Sequence, residues 1–327
     1  MPQHSKHASK NMGYGRNPKY AAKNKLRDHF NSGHHATTAT HSERFNLFID
    51  WIEEHHKIND LWCITNSHLL AYSEHIKALM SDEIIAVSTA HNRISSCNVV
   101  LKIMRGDNHI RIDKIAKTLE KKRCYARSQV PDGIDLDEVL QAQYQLRNDG
   151  NIRLAAILGL ARTLGMRLRE AVLCDLQRLK SEAQKFGRIN IQEGTKGGRK
   201  GSHAPRWIDI KECAADAIDF AIPASPPNSK NLLKPNETYI SFIRSVVRYK
   251  GKSLGGYGIR KIHDLRAAYA CERYEQITGH PAPVIAKRQA MSKEELRMDK
   301  EARRIISREL GHERIEICNS YIGSCKR

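Results

Sequence analysis

Leu310-Gly311-His312-Glu313-Arg314-Ile315-Glu316-Ile317-Cys318-Asn319-Ser320-Tyr321 is the stretch from which the rest of the chain can be read. Gly311 after Leu310 signals the end of one helix, and a short helix can follow it. Alone, the tyrosine would be an ordinary surface-capping aromatic. Three upstream segments change that, because each carries groups that serve a nucleophile. They are Gly165-Met166-Arg167-Leu168-Arg169-Glu170, Thr195-Lys196-Gly197-Gly198 and His263-Asp264-Leu265-Arg266. In chain order the set is Arg, Lys, His-x-x-Arg, His and Tyr.

Each segment has a local reading. Gly165 suits the C-cap of the apolar helix 151–163, so Arg167 leaves a core-packed turn. Leu168 to Leu179 then reads as the next helix, and Glu170 in its first turn favours the positive helix end and can orient the guanidinium. Arg188–Gln192 and Arg206–Ile210 alternate like two strands, with a Gly- and Lys-rich loop between them. Lys196 lies just past the first strand, with Lys200 as the second choice for the same role. Arg199 and Lys200 are candidate phosphate contacts. His263 and Arg266 stand three apart on a predicted helix reaching about Gln276, so they share a face. Residues Gly251–Gly258 are glycine-rich and basic but lack the spacing of a nucleotide loop.

Lys and Arg number 55 against 36 Asp and Glu, a formal charge of +19. That surplus opposes compaction unless the partner is a polyanion, so nucleic acid is the expected partner, with an anionic membrane surface as the rival. No apolar run nears the ~20 residues of a bilayer span, which excludes a membrane protein of the helical kind. The eight cysteines include no C-x-x-C pair and no zinc spacing, and they fit a reducing cytosol. His34-His35 and His55-His56 have no evident third ligand, so no metal is expected.

Residues 1–36 are basic with little apolar periodicity. They read either as a solvated tail or as an arm that tracks phosphates. Residues 37–122 are helical throughout: Phe45, Phe48, Ile49 and Ile52 mark one face, and Leu69, Tyr72, Ile76 and Leu79 another. Lys102, Arg105, Arg111 and Lys114 belong to a basic string at the end of this region. Ser128, Pro131 and Gly133 mark a linker over 123–133, and the rest, 134–327, forms a second domain. Lys211–Phe220 and about Thr238–Tyr249 read as further helices, joined by a proline-rich link.

The ordered set of motifs resembles the tyrosine recombinase (phage-type integrase) family, most strongly from about Asp132 onward. Tyr321 lies nine residues past His312, which is the family's spacing. Departures are Ala267, where a second histidine is frequent, and Cys318, where a threonine is common. The distance from His263 to His312 is longer than the family's, so about 279–302 reads as an insertion, with Lys287, Arg288, Lys293 and Arg297 available for DNA. The resemblance implies a mainly α fold with a small β-hairpin. A helical core-binding (SAM-like) domain would clamp DNA ahead of the catalytic domain. It implies Arg167, Lys196, His263, Arg266, His312 and Tyr321 as catalytic residues, Glu170 as support, and no cofactor. The implied reaction cuts and rejoins DNA through a 3′-phosphotyrosyl link, for integration or excision of a mobile element. A type IB topoisomerase-like nicking enzyme and an inactive DNA-binding protein are the alternatives. Implied too are a tetramer on two recombination sites, a monomer or weak oligomer off DNA, and accessory bending or directionality proteins. The location would be cytoplasmic, at the nucleoid. The segment Gly323–Arg327 is too short to be exchanged between subunits as a helix.

Overall fold

The computed structural model describes residues 10–31, 33–195, 205–248, 251–286, 291–312 and 314–325. The chain forms two compact units, Met1–Cys124 and Tyr125–Arg327, which divide inside the stretch read as a linker.

The first unit is helical. Its long helices are α1 (Pro18–Phe30), α2 (His35–His56), α3 (Asn66–Ser81) and α4 (Val87–Arg105), with a single turn, α5 (Ile115–Thr118), after them. Phe45, Phe48, Ile49, Ile52, Leu69, Tyr72 and Ile76 are buried in one core with Ile94 and Leu101. The apolar spacing therefore points inward as the sequence predicts.

The segment from Lys10 to Phe30 differs from its reading as part of a basic tail. Ala21, Ala22 and Leu26 are wholly or almost wholly buried in the same core. The chain enters α1 through an Asn17 cap, whose side chain accepts from the Tyr20 amide at 2.9 Å, followed by Pro18 at the first position. Ahead of it the buried Asn11 donates to the Gly15 carbonyl and accepts from the Leu61 amide, both at 2.8 Å. Two alanines and one leucine give a narrow apolar stripe among many cations. Small residues allow close helix approach while adding little to any periodic signal, which is why the stripe escapes a sequence reading.

The second unit begins with α6 (Leu136–Asn148) and α7 (Ile152–Leu164), continues through α8 (Leu168–Leu173) and α9 (Leu176–Phe186), and reaches a two-stranded antiparallel hairpin. Strand β1 (Arg188–Asn190) pairs with β2 (Trp207–Asp209), Ile189 opposite Ile208. After it come α10 (Glu212–Ala224), the short α11 (Tyr239–Phe242), α12 (Ile262–Thr278), the short α13 (Pro283–Ala286), α14 (Lys293–Glu309) and α15 (Asn319–Ile322). Helix α7 is buried on nearly all sides and packs on α6, α10 and α12, as its continuous apolar sequence requires.

Three segments depart from, or add to, their sequence readings. The helix expected over 168–179 is two helices, because Asp175 caps a new start by accepting from the Arg178 amide at 3.1 Å. The glycine-rich run is a 3-10 helix over Gly251–Tyr257, anchored by buried Leu254. The segment 279–302, read as an insertion, packs into the core of the second unit. Ala282, Val284, Asp299 and Ala302 are buried, and Tyr274 donates to Asp299 at 2.9 Å. Helix α14 buries Asp299, Arg303 and Glu309 as well as Ala302, so counting Lys and Arg overstates its exposure.

Candidate active site

Two turns create the site. The first is at Gly165, which ends α7 with φ +57°. A Cβ there would lie 2.5 Å from the Tyr269 ring, so only glycine fits without displacement. The second is at Leu310-Gly311, where α14 stops. The carbonyls left over at these turns point toward one place, and buried arginines take them up.

Arg266, from α12, is completely buried. It donates to the carbonyls of Gly165 and Leu310, and its Nε lies 3.3 Å from the hydroxyl of Tyr321. Arg167, at the cap of α8, donates to Leu310 O at 3.2 Å and to His312 Nε2 at 3.2 Å. Glu170 lies beneath both. Its carboxylate accepts from the Arg167 amide at 2.7 Å and from Arg167 Nη1 at 2.6 Å, and sits 3.7 Å from Arg266 Nη1. A third guanidinium, Arg206, stands 2.8 Å from the same carboxylate. Burial alone would raise the Glu170 pKa, but Arg206, Arg266 and Arg167 together bring it down to about 2. Burial, and then the charge of Arg206, lowers Arg266 to about 10, so it stays charged at neutral pH.

Tyr321 projects from α15 into this cluster, with 4% of its surface exposed. Its hydroxyl is 3.2 Å from His312 Nε2. The two rings of His263 and His312 stand 5.6 and 5.8 Å from the tyrosine ring. Among the described residues His263 makes no hydrogen bond to the hydroxyl, so the imidazole in contact with the nucleophile is His312. Burial first, and then Arg167, Arg266 and Arg206, lower the His312 pKa to about 4. Arg167 can only donate, so Nε2 of His312 must accept from it. The ring is therefore assigned as neutral, with its proton on Nδ1. Desolvation, followed by the charge of Arg266, also lowers His263, although its ring retains solvent access.

The tyrosine helix is fastened at several points. Arg303 donates to Asn319 Oδ1 at 2.8 Å and to Gly323 O at 3.1 Å, while the Arg127 amide donates to Asn319 O at 2.7 Å. Cys318, in the place where a threonine is common, is buried and donates to the Arg303 carbonyl.

The structure thus brings Arg167, Glu170, His263, Arg266, His312 and Tyr321 together. Lys196, Arg199 and Lys200 lie outside the described residues, as do Lys287 and Arg288. Just ahead of Lys196, Gly194, at φ +71°, packs closely on the main chain of α8: a Cβ there would lie 2.5 Å from the Arg169 carbonyl. In the first unit Lys102 is exposed, whereas Arg105 stacks over Trp62 at 4.8 Å and pairs with Asp107 at 3.4 Å. Sequence reasoning missed Arg206. Its only signal was position: an arginine at the head of the return strand, in register to face inward.

Among the described residues no helix is long and apolar enough to cross a membrane. The arrangement offers hydrogen-bond donors to a tetrahedral anion beside a phenol and a neutral base. Residues 126–272 match the family model described as Integrase. No curated protein matches the chain. Among solved structures, the Tn1549 transposon integrase in complex with transposon right end DNA is 12% identical, with a TM-score of 0.57 over 93% of this chain and 94% of that one. The same integrase with a circular intermediate DNA is 14% identical, with a TM-score of 0.56 over 95% and 96%. At these identities the likeness is one of fold.

Proposed function

We propose that this chain, which belongs to the integrase family of tyrosine recombinases, cuts and rejoins double-stranded DNA at specific sites, with Tyr321 as the nucleophile. One observation carries the assignment of residues: the Tyr321 hydroxyl lies within 3.3 Å of Arg266 and 3.2 Å of His312, inside one chain. The substrate of such a site is a phosphodiester, a poor electrophile that gathers negative charge on its non-bridging oxygens as it reacts. Arg167 and Arg266 are assigned to those oxygens through paired, charge-assisted hydrogen bonds.

The phenol must lose a proton as it attacks. Of the two histidines in the implied set, the geometry favours His312 as the acceptor, since its Nε2 is already in contact. Protonation at Nε2 then makes His312 a donor to the phosphate, so one ring serves both needs. The low pKa keeps it neutral, and ready to accept, at neutral pH. His263 is assigned to the flank of the ring. Lys196 is assigned to the leaving 5′-oxygen, which it would protonate. The products are a 3′-phosphotyrosyl bond and a free 5′-hydroxyl. Attack by a 5′-hydroxyl of a partner duplex reverses the step and joins new ends. The bond energy is conserved in the link, so neither ATP nor a metal enters the scheme.

The neighbouring structures hold transposon DNA, which supports integration or excision of a mobile element as the biological task. Lys102, Arg105, Arg199 and Lys200 are proposed DNA contacts. Off DNA we infer a monomer or weak oligomer, with a tetramer on two sites and a cytoplasmic, nucleoid location. The test uses a nicked suicide duplex carrying candidate attachment sites. A covalent adduct mapping to Tyr321 by mass, lost in Tyr321→Phe, is expected. Exchange of strands between two labelled duplexes, rather than relaxation of supercoils alone, is expected of a recombinase. An adduct that persists in Tyr321→Phe overturns the assignment.

A further inference from the structure

We propose that Arg206 is a positioning residue of this site: it holds Glu170 and the Gly165 turn so that Arg167 and Arg266 present their donors to one phosphate. The inference rests on the function proposed above and adds a link between the hairpin and the catalytic arginines. Arg206 is 5% exposed and stands at the head of the return strand. Its main chain belongs to the hairpin, since its amide donates to Asn190 Oδ1 at 2.9 Å and its carbonyl accepts from Ile191 at 3.1 Å. Its side chain belongs to the site. Nε donates to Glu309 O at 2.5 Å, and Nη2 donates to Gly165 O at 3.3 Å, the carbonyl that Arg266 also uses.

Three guanidiniums therefore rest on the same two turns. Arg206 takes Gly165 and Glu309, Arg266 takes Gly165 and Leu310, and Arg167 takes Leu310. Nη1 of Arg206 lies 2.8 Å from Glu170 yet has no hydrogen bond. Its hold on the carboxylate is thus one of charge rather than of directed bonding. The charged or titratable groups around Glu170 are Arg167 from α8, Arg206 from the hairpin, Arg266 from α12 and His312 from the loop after α14. Of these, Arg206 alone has no hydrogen bond to Tyr321 or His312 among the described residues. It acts on the phosphate site only through Glu170 and the turn carbonyls. A shift of the hairpin would move Arg206, and with it the carboxylate on which Arg167 is seated.

A buried arginine could instead serve stability alone, and the experiment separates the two. Single-turnover cleavage of the suicide duplex is measured for the full chain, for Arg206→Met and for Arg206→Lys, from acid to alkaline pH, with DNA affinity by anisotropy. At saturating DNA, Arg206→Met is expected to slow the covalent step on the order of 10²-fold, as displacement of a positioned group does. DNA affinity should stay close to that of the parent. The acid limb of the profile should move to higher pH, because both His312 and Glu170 lose a cation that holds their titration down. Arg206→Lys should return the acid limb to its place but not the full rate, since an ammonium cannot hold both turn carbonyls in a planar fork. A normal rate and profile in Arg206→Met, or a loss confined to DNA affinity, overturns the inference. So does failure of both variants to fold, which would make Arg206 a residue of stability. An absent adduct in the parent chain would instead strike at the proposed function itself.

Discussion

Replacing Glu170 by glutamine tests the electrostatic core of the site. The parent carboxylate is fully buried and faces three guanidiniums. One of its oxygens accepts from the Arg167 amide at 2.7 Å and the other from Arg167 Nη1 at 2.6 Å. A glutamine can offer an oxygen to only one of these donors; its amide group must point N–H at the other. The variant thus loses the counter-charge and sets donor against donor. Breaking a buried pair by removing one partner costs about 3–5 kcal/mol. For a unit of this size each kcal/mol lowers the melting temperature by about 2–4 °C, so a drop of about 6–20 °C is expected at neutral pH. The pH dependence follows from the sign of the shift. The Glu170 pKa falls from its ordinary 4.5 to about 2 on folding. Its contribution is complete above 4.5 and is lost as pH falls toward 2. The gap between parent and variant should therefore narrow in acid. Calorimetry of both proteins from neutral to acid pH decides it. A gap under about 1 kcal/mol at neutral pH, or one that widens in acid, would refute the reasoning.

Three further outcomes are expected. Gly165→Ala forces a side chain into a left-handed turn and against Tyr269, at about 1–2 kcal/mol for the backbone and about 1–3 for overpacking, read as a shift in the urea midpoint. Leu26→Ala should cost about 2–5 kcal/mol in the unfolding of the first unit, whereas a loose tail would register nothing. Because burial and neighbouring cations lower His312 to about 4, cleavage should hold its rate well below the ordinary imidazole range as pH falls. His312→Gln should remove that limb, and a profile governed by a group near 6.5 would point away from His312.

The site was legible where chemistry demands particular residue types at particular separations. Arg167, His263, Arg266, His312 and Tyr321 stand in an ordered set of short motifs, and the resemblance of that set to the tyrosine recombinases is what singled them out. Positions whose role depends on another strand were not legible. Arg206 reads as one alternating residue in a short strand, and nothing nearby announces that its side chain ends beneath Glu170. The same holds for Asp299, which sits in a charged run that resembles surface; it is buried where Tyr274 of α12 and Arg303 donate to it. Helix α1 was hidden for a different reason, since two alanines bury well but weigh little in any apolar pattern.

The two kinds of position meet in the charge balance of the site. Three guanidiniums oppose one carboxylate, and the imidazole between them is held neutral. The surplus is positive in a place with little solvent, which costs stability unless an anion shares it. Each arginine offsets part of that cost by bonding a turn carbonyl, and those carbonyls exist only because α7 and α14 end at Gly165 and Leu310. The fold thus supplies, through two helix ends, the polar atoms that allow unpaired positive charge to persist beside a phenol. A phosphodiester that enters supplies the missing negative charge, and a pentacoordinate intermediate supplies more of it. Stabilisation that increases along the reaction is what lowers a barrier, whereas equal stabilisation of bound DNA would only tighten binding. In the proposed reaction, the stability withheld from the resting chain by three clustered arginines is therefore the same quantity that would favour attack by Tyr321.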